Sequence, residues 1–231
     1  MSMAKSKTLY VCQECGATAA RWSGRCSECE SWNTLVEEVI DEPGKHVRPA
    51  IQENATPIPI TEGSQCATER LTTHIPEFDR VLGGGIVPGS LTLVGGDPGI
   101  GKSTLMLQVG HHLATASGRV LYISGEESFD QTRLRAQRLG ALSRDLLLLT
   151  ETAVDVINDH LKKQEYSLVV VDSIQSVYSS RLPGVPGSVN QVRECAMEFL
   201  RIAKGQHPDY ACWTCDKRRR DSGPAPAGAS G

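Results

Sequence analysis

Apolar and polar positions change period repeatedly along the middle of the chain. Short runs dominated by Leu, Val, Ile and Tyr, namely LTLVGG (91–96), RVLYIS (119–124), LLLLT (146–150) and YSLVVVD (166–172), have the length and composition of strands. Between and after them, GKSTLMLQVGHHLATA, SFDQTRLRAQRLG, AVDVINDHLKKQ and SVNQVRECAMEFLRIAK fit amphipathic helices. Alternation of this kind predicts right-handed βαβ units on a parallel sheet flanked by helices, an α/β core over residues 66–204.

The remaining segments are of other kinds. Residues 8–39 form a block too short to bury a core unaided, since units below about 40 residues need a metal or disulfides. Residues 40–65 are rich in Pro, Glu and small polar side chains without sustained periodicity, which predicts a linker. Beyond about residue 205 the pattern stops, and the end of the chain, ACWTCDKRRRDSGPAPAGASG, is basic and then rich in Ala, Gly, Pro and Ser.

Charge and composition narrow the picture only a little. With 24 Lys and Arg against 27 Asp and Glu the net charge is −3, so a nucleic-acid surface would have to be a local patch rather than a global field. There is no apolar run of about 18 residues and no signal-peptide pattern, and the expected location is the cytoplasm. Eight cysteines in such a chain read as metal ligands or separate thiols before they read as a disulfide framework.

Four of those cysteines, Cys12, Cys15, Cys26 and Cys29, make two Cys-x-x-Cys pairs ten residues apart. Each pair can supply two corners of a tetrahedron around Zn²⁺, and a closed four-thiolate site is structural rather than catalytic. Gly16 and Gly24 suit the turns, and Trp22 and Trp32 are expected to cover the site as a small apolar shell. Arg21 and Arg25 sit at its rim. Cys66 and Cys195 have no partner at useful spacing and receive no chemical role; His111 and His112 are expected at a core edge or surface.

The segment Gly96, Asp97, Pro98, Gly99, Ile100, Gly101, Lys102, Ser103 and Thr104 follows a strand and opens a helix, the context that makes a phosphate-binding loop. Glycines let consecutive N–H groups approach the phosphates of ATP, and the helix N-terminus adds its positive dipole end. Lys102 should reach the β and γ phosphates and Ser103 should hold Mg²⁺. Asp172, ending the strand SLVVVD, suits a Walker B carboxylate for the same Mg²⁺. Glu126 and Glu127, in YISGEES, lie at the same edge, where either could orient or deprotonate the attacking water or merely complement a helix N-terminus.

These residues together resemble the bacterial RadA (Sms) family of DNA-repair proteins, a branch of the RecA-like ATPases. The resemblance runs from residue 8 to about 204 through YVCQECGATAARWSGRC, WNTLVEE, IPEFDRVLGGGIVPGSLTLVGGDPGIGKSTL, YISGEES, VVVDSIQSVYSS and PGSVNQVRE. It implies a DNA-dependent ATPase that binds single-stranded DNA, promotes branch migration of recombination intermediates alongside the RecA recombinase, and assembles as a homo-hexamer. By position it makes Lys102 and Ser103 the Walker A pair, Asp172 the Walker B carboxylate and Glu126 the catalytic glutamate. The stretch from Ser176 to Ser188 would correspond to a DNA-facing loop, with Arg181 and Arg193 as DNA-side charges. Alternative readings are another RecA-like ATPase, or a zinc-ribbon nucleic-acid-binding fragment with little or no ATPase activity.

The resemblance lapses after residue 204. The family continues with a further core strand carrying a polar sensor, a Lys-Asn-Arg-Phe-Gly motif and a domain resembling the Lon protease, and none of these is found in the 231 residues. Residues 209–231 can be encoded with permitted codons that, read one base later, spell IMLVGHVTKEGGIAGPRLLEHL, a continuation of the family type. The expectation is therefore a single-nucleotide frame change near codons 205 to 207, a disordered out-of-frame tail over 205–231, an uncovered apolar edge at or beside LVVVD, and weak ATP hydrolysis. Lone Cys212 and Cys215 are not expected to hold metal.

Overall fold

The structure, a computed structural model, describes residues 6–41, 59, 61, 69–182, 184–205 and 211–216. Nearly all of the expected linker, and Cys66 just after it, lie outside the described residues. At the N-terminus β1 (Ser6–Cys12), β2 (Thr18–Ala19) and β3 (Leu35–Asp41) form a three-stranded antiparallel sheet in the order β2-β1-β3. Its core is small, built from Cys12, Cys26 and Leu35 with Tyr10, Ala17 and Cys29 packed around them.

The larger unit opens with α1 (Pro76–Val81), a six-residue helix with proline at its start, too short to leave a periodic signature in the sequence. There follow β4 (Leu91–Gly95), α2 (Lys102–Ala116), β5 (Val120–Ser124), α3 (Phe129–Arg138), β6 (Leu146–Leu149), α4 (Val154–Leu161), β7 (Leu168–Asp172), α5 (Val189–Gly205) and β8 (Ala211–Asp216). The five strands β4 to β8 pair in parallel in the order β4-β8-β7-β5-β6. The parallel sheet flanked by helices and the four-cysteine ribbon are the fold class expected from the hydrophobic pattern and the cysteine spacing.

Side chains alternate across this sheet and build two cores. Val120, Tyr122, Leu168 and Val170 pack on one face with Met106, Leu107 and Val109 of α2. Leu121, Ile123, Val169 and Val171 pack on the other with Ile157 of α4 and Cys195 and Phe199 of α5. Every residue of β5 and β7 is buried because helices cover both faces, and each large apolar side chain so buried contributes about 1.5–3 kcal/mol.

The structure corrects the reading of the chain's end. Ala211–Asp216 is not part of a disordered tail but a central strand, paired with β4 from Leu91↔Cys212 to Gly95↔Asp216 and with β7 from Leu168↔Ala211 to Val171↔Thr214. LVVVD is accordingly no open edge; β7 lies between β5 and β8, and the edges of the sheet are β4 and β6. The physical reason is that ACWTCD carries Cys, Trp and Thr, which suit a strand, and the slot between β4 and β7 offers ladder groups on both sides. Residues 206–210 and 217–231 lie outside the described residues. Among the described residues no helix is long and apolar enough to cross a membrane.

Candidate functional site

The turn from β4 into α2 builds a cradle at the carboxyl edge of the sheet, the edge where open parallel sheets bind ligands. Gly99 and Gly101 take φ of 80° and 103°, and Gly101 is the residue on which α2 starts. A side chain would strain both positions. Lys102, only 7% exposed, donates from Nζ to the carbonyl oxygens of Gly96 at 2.5 Å and Asp97 at 2.9 Å, so its ammonium lies inside the loop it follows. Pro98, Gly99, Gly101, Lys102, Ser103 and Thr104 line a cavity of about 360 Å³, joined by Arg135 from α3. Ile100 points away and is exposed.

The acidic side of the site comes from β5 and β7, which run side by side with Ser124 opposite Asp172. Asp172 is buried, and the Tyr122 hydroxyl donates to its Oδ2 at 2.6 Å. The peptide bond from Asp172 to Ser173 is cis. The Ser173 hydroxyl donates to Glu126 Oε1 at 2.6 Å, which ties Glu126 to the residue after Asp172. Glu127 points elsewhere: Arg135 donates to its Oε1 in an ion pair. The two neighbouring glutamates are thus separated by partner, one bonded to Ser173 and one to α3.

Ser103 stands in the first turn of α2, which packs against β5 and β7, and Asp172 ends β7, so both lie towards the carboxyl edge of the sheet. Hydroxyl and carboxylate oxygens are the hard donors that Mg²⁺ prefers. The donor set therefore fits a Mg²⁺–nucleotide.

In the ribbon, the Sγ atoms of Cys12, Cys15, Cys26 and Cys29 all lie within 4.8 Å of one another, with Cys12–Cys29 and Cys15–Cys26 each at 3.6 Å. Tetrahedral zinc with Zn–S bonds of about 2.3 Å would hold its sulfurs about 3.8 Å apart, whereas a disulfide needs about 2 Å. The set fits zinc. The two knuckles have one design: Gly16 N–H donates to Cys12 O and Glu30 N–H to Cys26 O, with positive φ at Gly16 and Glu30. Burial opposes ionisation of Cys12, yet the Thr34 hydroxyl and the N–H groups of Cys15 and Glu14 bring its thiol down to about 6. At Cys15 the Ala17 N–H favours the thiolate, but desolvation and the other three cysteines outweigh it and push the thiol up to about 12. Four sulfurs this close resist sharing negative charge, which a cation resolves.

The expected apolar shell is not formed. Trp22 and Trp32 are 59% and 70% exposed and lie over Gly24, with the Arg25 guanidinium 5.9 Å from the Trp32 ring centroid. Cys12 and Cys26 are buried instead with Leu35 beneath the knuckle backbone, whereas Cys29 is partly buried and Cys15 is exposed. Arg25 also donates to the backbone and side chain of Glu30.

Of the two arginines expected to face DNA, Arg181 is committed to two carboxylates, Asp155 at 3.1 Å and Glu198 at 3.3 Å. Arg193 is exposed on α5. Between them Gln191, fully buried, fastens the start of the loop: its Oε1 accepts from Ser179 N–H at 2.8 Å, and its Nε2 donates to Ser179 O and Leu182 O. His112 contacts Thr73 O from the rim of the core, and Cys195 packs under Val177 O. Sequence reasoning missed Arg135, Tyr122, Ser173 and Gln191. Tyr122 and Ser173 could have been flagged by their places in the strand ends bearing Glu126 and Asp172, whereas an arginine within a helix carries no such signal.

Comparison with known proteins agrees with this geometry. Residues 60–204 match the family described as an AAA domain, and residues 10–37 match a rubredoxin metal binding domain. The chain is 51% identical over 205 residues to the DNA repair protein RadA of Halalkalibacterium halodurans, covering 87% of this chain and 45% of the relative. It is 50% identical over 206 residues to RadA of Bacillus subtilis, with the same coverage, and 48% identical over 210 residues to RadA of Listeria monocytogenes, covering 90% and 46%. The chain thus spans about half the length of the curated relatives it matches. With an AAA match over more than half of its residues, a zinc ribbon in front of it and this level of identity, the chain belongs to the AAA domain family, in the RadA branch of the RecA-like ATPases.

Proposed function

We propose that the chain binds and hydrolyses Mg²⁺–ATP at the β4–α2 cradle and couples hydrolysis to single-stranded DNA, in the service of branch migration during recombinational repair in the cytoplasm. The observation that carries the reading is the convergence on one sheet edge of Lys102, Asp172 and Glu126. Lys102 and the loop N–H groups hold the phosphates; Ser103 and Asp172 would hold Mg²⁺, which neutralises charge developing on the phosphoryl oxygens. Glu126, held by Ser173, orients the attacking water and takes its proton. The zinc ribbon keeps a structural role, and Arg193 with the loop fastened by Gln191 supplies the DNA side. RecA recombinase as partner and a homo-hexameric ring belong to the same proposal.

The test is nucleotide binding and phosphate release by the purified chain, with and without single-stranded DNA. Lys102→Ala should lower ATP affinity at least about tenfold, the scale of a lost charged hydrogen bond. Glu126→Gln should leave ATP binding within about twofold while reducing turnover about 10²-fold or more. Turnover unaffected by Glu126→Gln, or DNA that neither binds nor stimulates, would reject the catalytic or the DNA part respectively. DNA binding without any Lys102-dependent nucleotide binding would favour a nucleic-acid-binding module instead.

A further inference from the structure

Arg135 is the one residue lining the phosphate cavity that comes from outside the cradle and the first turn of α2, among the described residues. Its position is set by the helix that carries it. Ser128 and Gln131 close a reciprocal capping box at the start of α3, and Thr132 and Ala136 bury the inner face against the sheet. Arg135 then stands at the border of that face, half-buried, while Arg133 and Arg138 are exposed. Its guanidinium pairs with Glu127, the residue next to Glu126. One planar fork serves one anion in full, and a terminal phosphate is the stronger bidentate acceptor.

We infer that Arg135 is a contact for the terminal phosphate of the bound nucleotide, and that Glu127 competes with that phosphate for its guanidinium. Lys102 enters from the cradle side and Arg135 from α3, so the two cations approach the polyphosphate from different elements. A nucleotide with a γ-phosphate draws Arg135 from Glu127; one without it leaves the ion pair in place. Discrimination between nucleoside triphosphate and diphosphate then resides in this pair. The inference rests on the ATP-binding reading above.

The experiment measures equilibrium binding of a non-hydrolysable ATP analogue and of ADP, both with Mg²⁺, by displacement of a fluorescent nucleotide from the full chain. Arg135→Ala is expected to weaken the analogue about tenfold or more while ADP stays within about twofold. Arg135→Lys should recover part of the loss, because a point charge lacks the fork. Glu127→Gln should strengthen the analogue about threefold, the scale of releasing a partly exposed ion pair. If Arg135 only tethers α3, both substitutions weaken the two nucleotides alike, and that result overturns the inference. An unchanged ratio in Arg135→Ala overturns it as well, and a fall in analogue affinity in Glu127→Gln does so even where Arg135→Ala fails to fold. A chain that binds nucleotide through Lys102 yet shows no such ratio change refutes this inference alone, whereas a chain that binds neither nucleotide refutes the ATP reading and this one together.

Discussion

A side chain on residue 125 would enter space that Ser176 already fills. A Cβ built on Gly125 would lie 2.0 Å from Ser176 Oγ and 2.8 Å from its Cβ, distances no packed carbon tolerates. Ser176 in turn donates to Ser173 O at 2.7 Å, and Ser173 holds Glu126. Gly125 is therefore required by close approach, and its neighbours form a chain of contacts that ends on the proposed general base. Gly125→Ala should reduce kcat about tenfold, corresponding to about 1.4 kcal/mol, with ATP affinity within about twofold because the cradle is untouched. Steady-state hydrolysis paired with equilibrium nucleotide binding checks this. Equal losses in both would mean that the whole edge has shifted and not Glu126 alone.

At the scale of elements, α5 is docked through Cys195, Phe199 and Ile202 against the β7 face of the sheet. Burial pushes the Cys195 thiol up to about 12, with the carboxylates of Glu194, Asp155 and Glu198 adding to it. The unfolded chain releases that proton near pH 9 while the folded chain retains it, so the contribution is complete below pH 9 and is lost as pH rises towards 12. Comparing urea midpoints of wild type and Cys195→Ala between pH 8 and 11 should show the wild type losing up to about 1.4 kcal/mol per pH unit more than the variant above pH 9. Parallel pH profiles would place the thiol in a more hydrated setting. The same helix illustrates what a sequence discloses. Its apolar spacing, like that of α4, survives as a pattern because one face must be buried along its length. The cradle and the four cysteines were readable for a related reason, since their chemistry needs fixed spacing along the chain. Arg135 was not readable, because its meaning arises only when α3 folds back over the cradle. Local pattern could not rank Glu126 and Glu127, because adjacent residues share every local signal; the resemblance pointed to Glu126, and in the structure the distant partners Ser173 and Arg135 set the two apart.

Across the whole molecule, the strand that carries the cradle and the strand that carries Asp172 are joined by a third strand paired with both. β8 hydrogen-bonds β4 on one side and β7 on the other, so the spacing of β4, which leads into the cradle, from β7, which ends in Asp172, depends on its ladder. Sequence pattern did not disclose this strand: ACWTCD is short, follows the last periodic helix and runs into basic and small residues, all signals of a chain end. Tertiary context supplied what local pattern lacked, two unsatisfied ladders facing one another. A proline at position 213, where the strand pairs with Thr92 and Val170, removes an N–H that no central strand can spare. Trp213→Pro should cost at least about 1 kcal/mol, lowering Tm by about 2–4 °C or more. Because the two halves of the site lose their common frame, it should also weaken Mg²⁺–ATP binding, while zinc content of the ribbon stays at its wild-type value. Thermal unfolding, nucleotide displacement and metal analysis on one preparation read all three. Undiminished nucleotide affinity in Trp213→Pro would show that β4 and β7 hold their spacing without β8, and that the strand is incidental to the site.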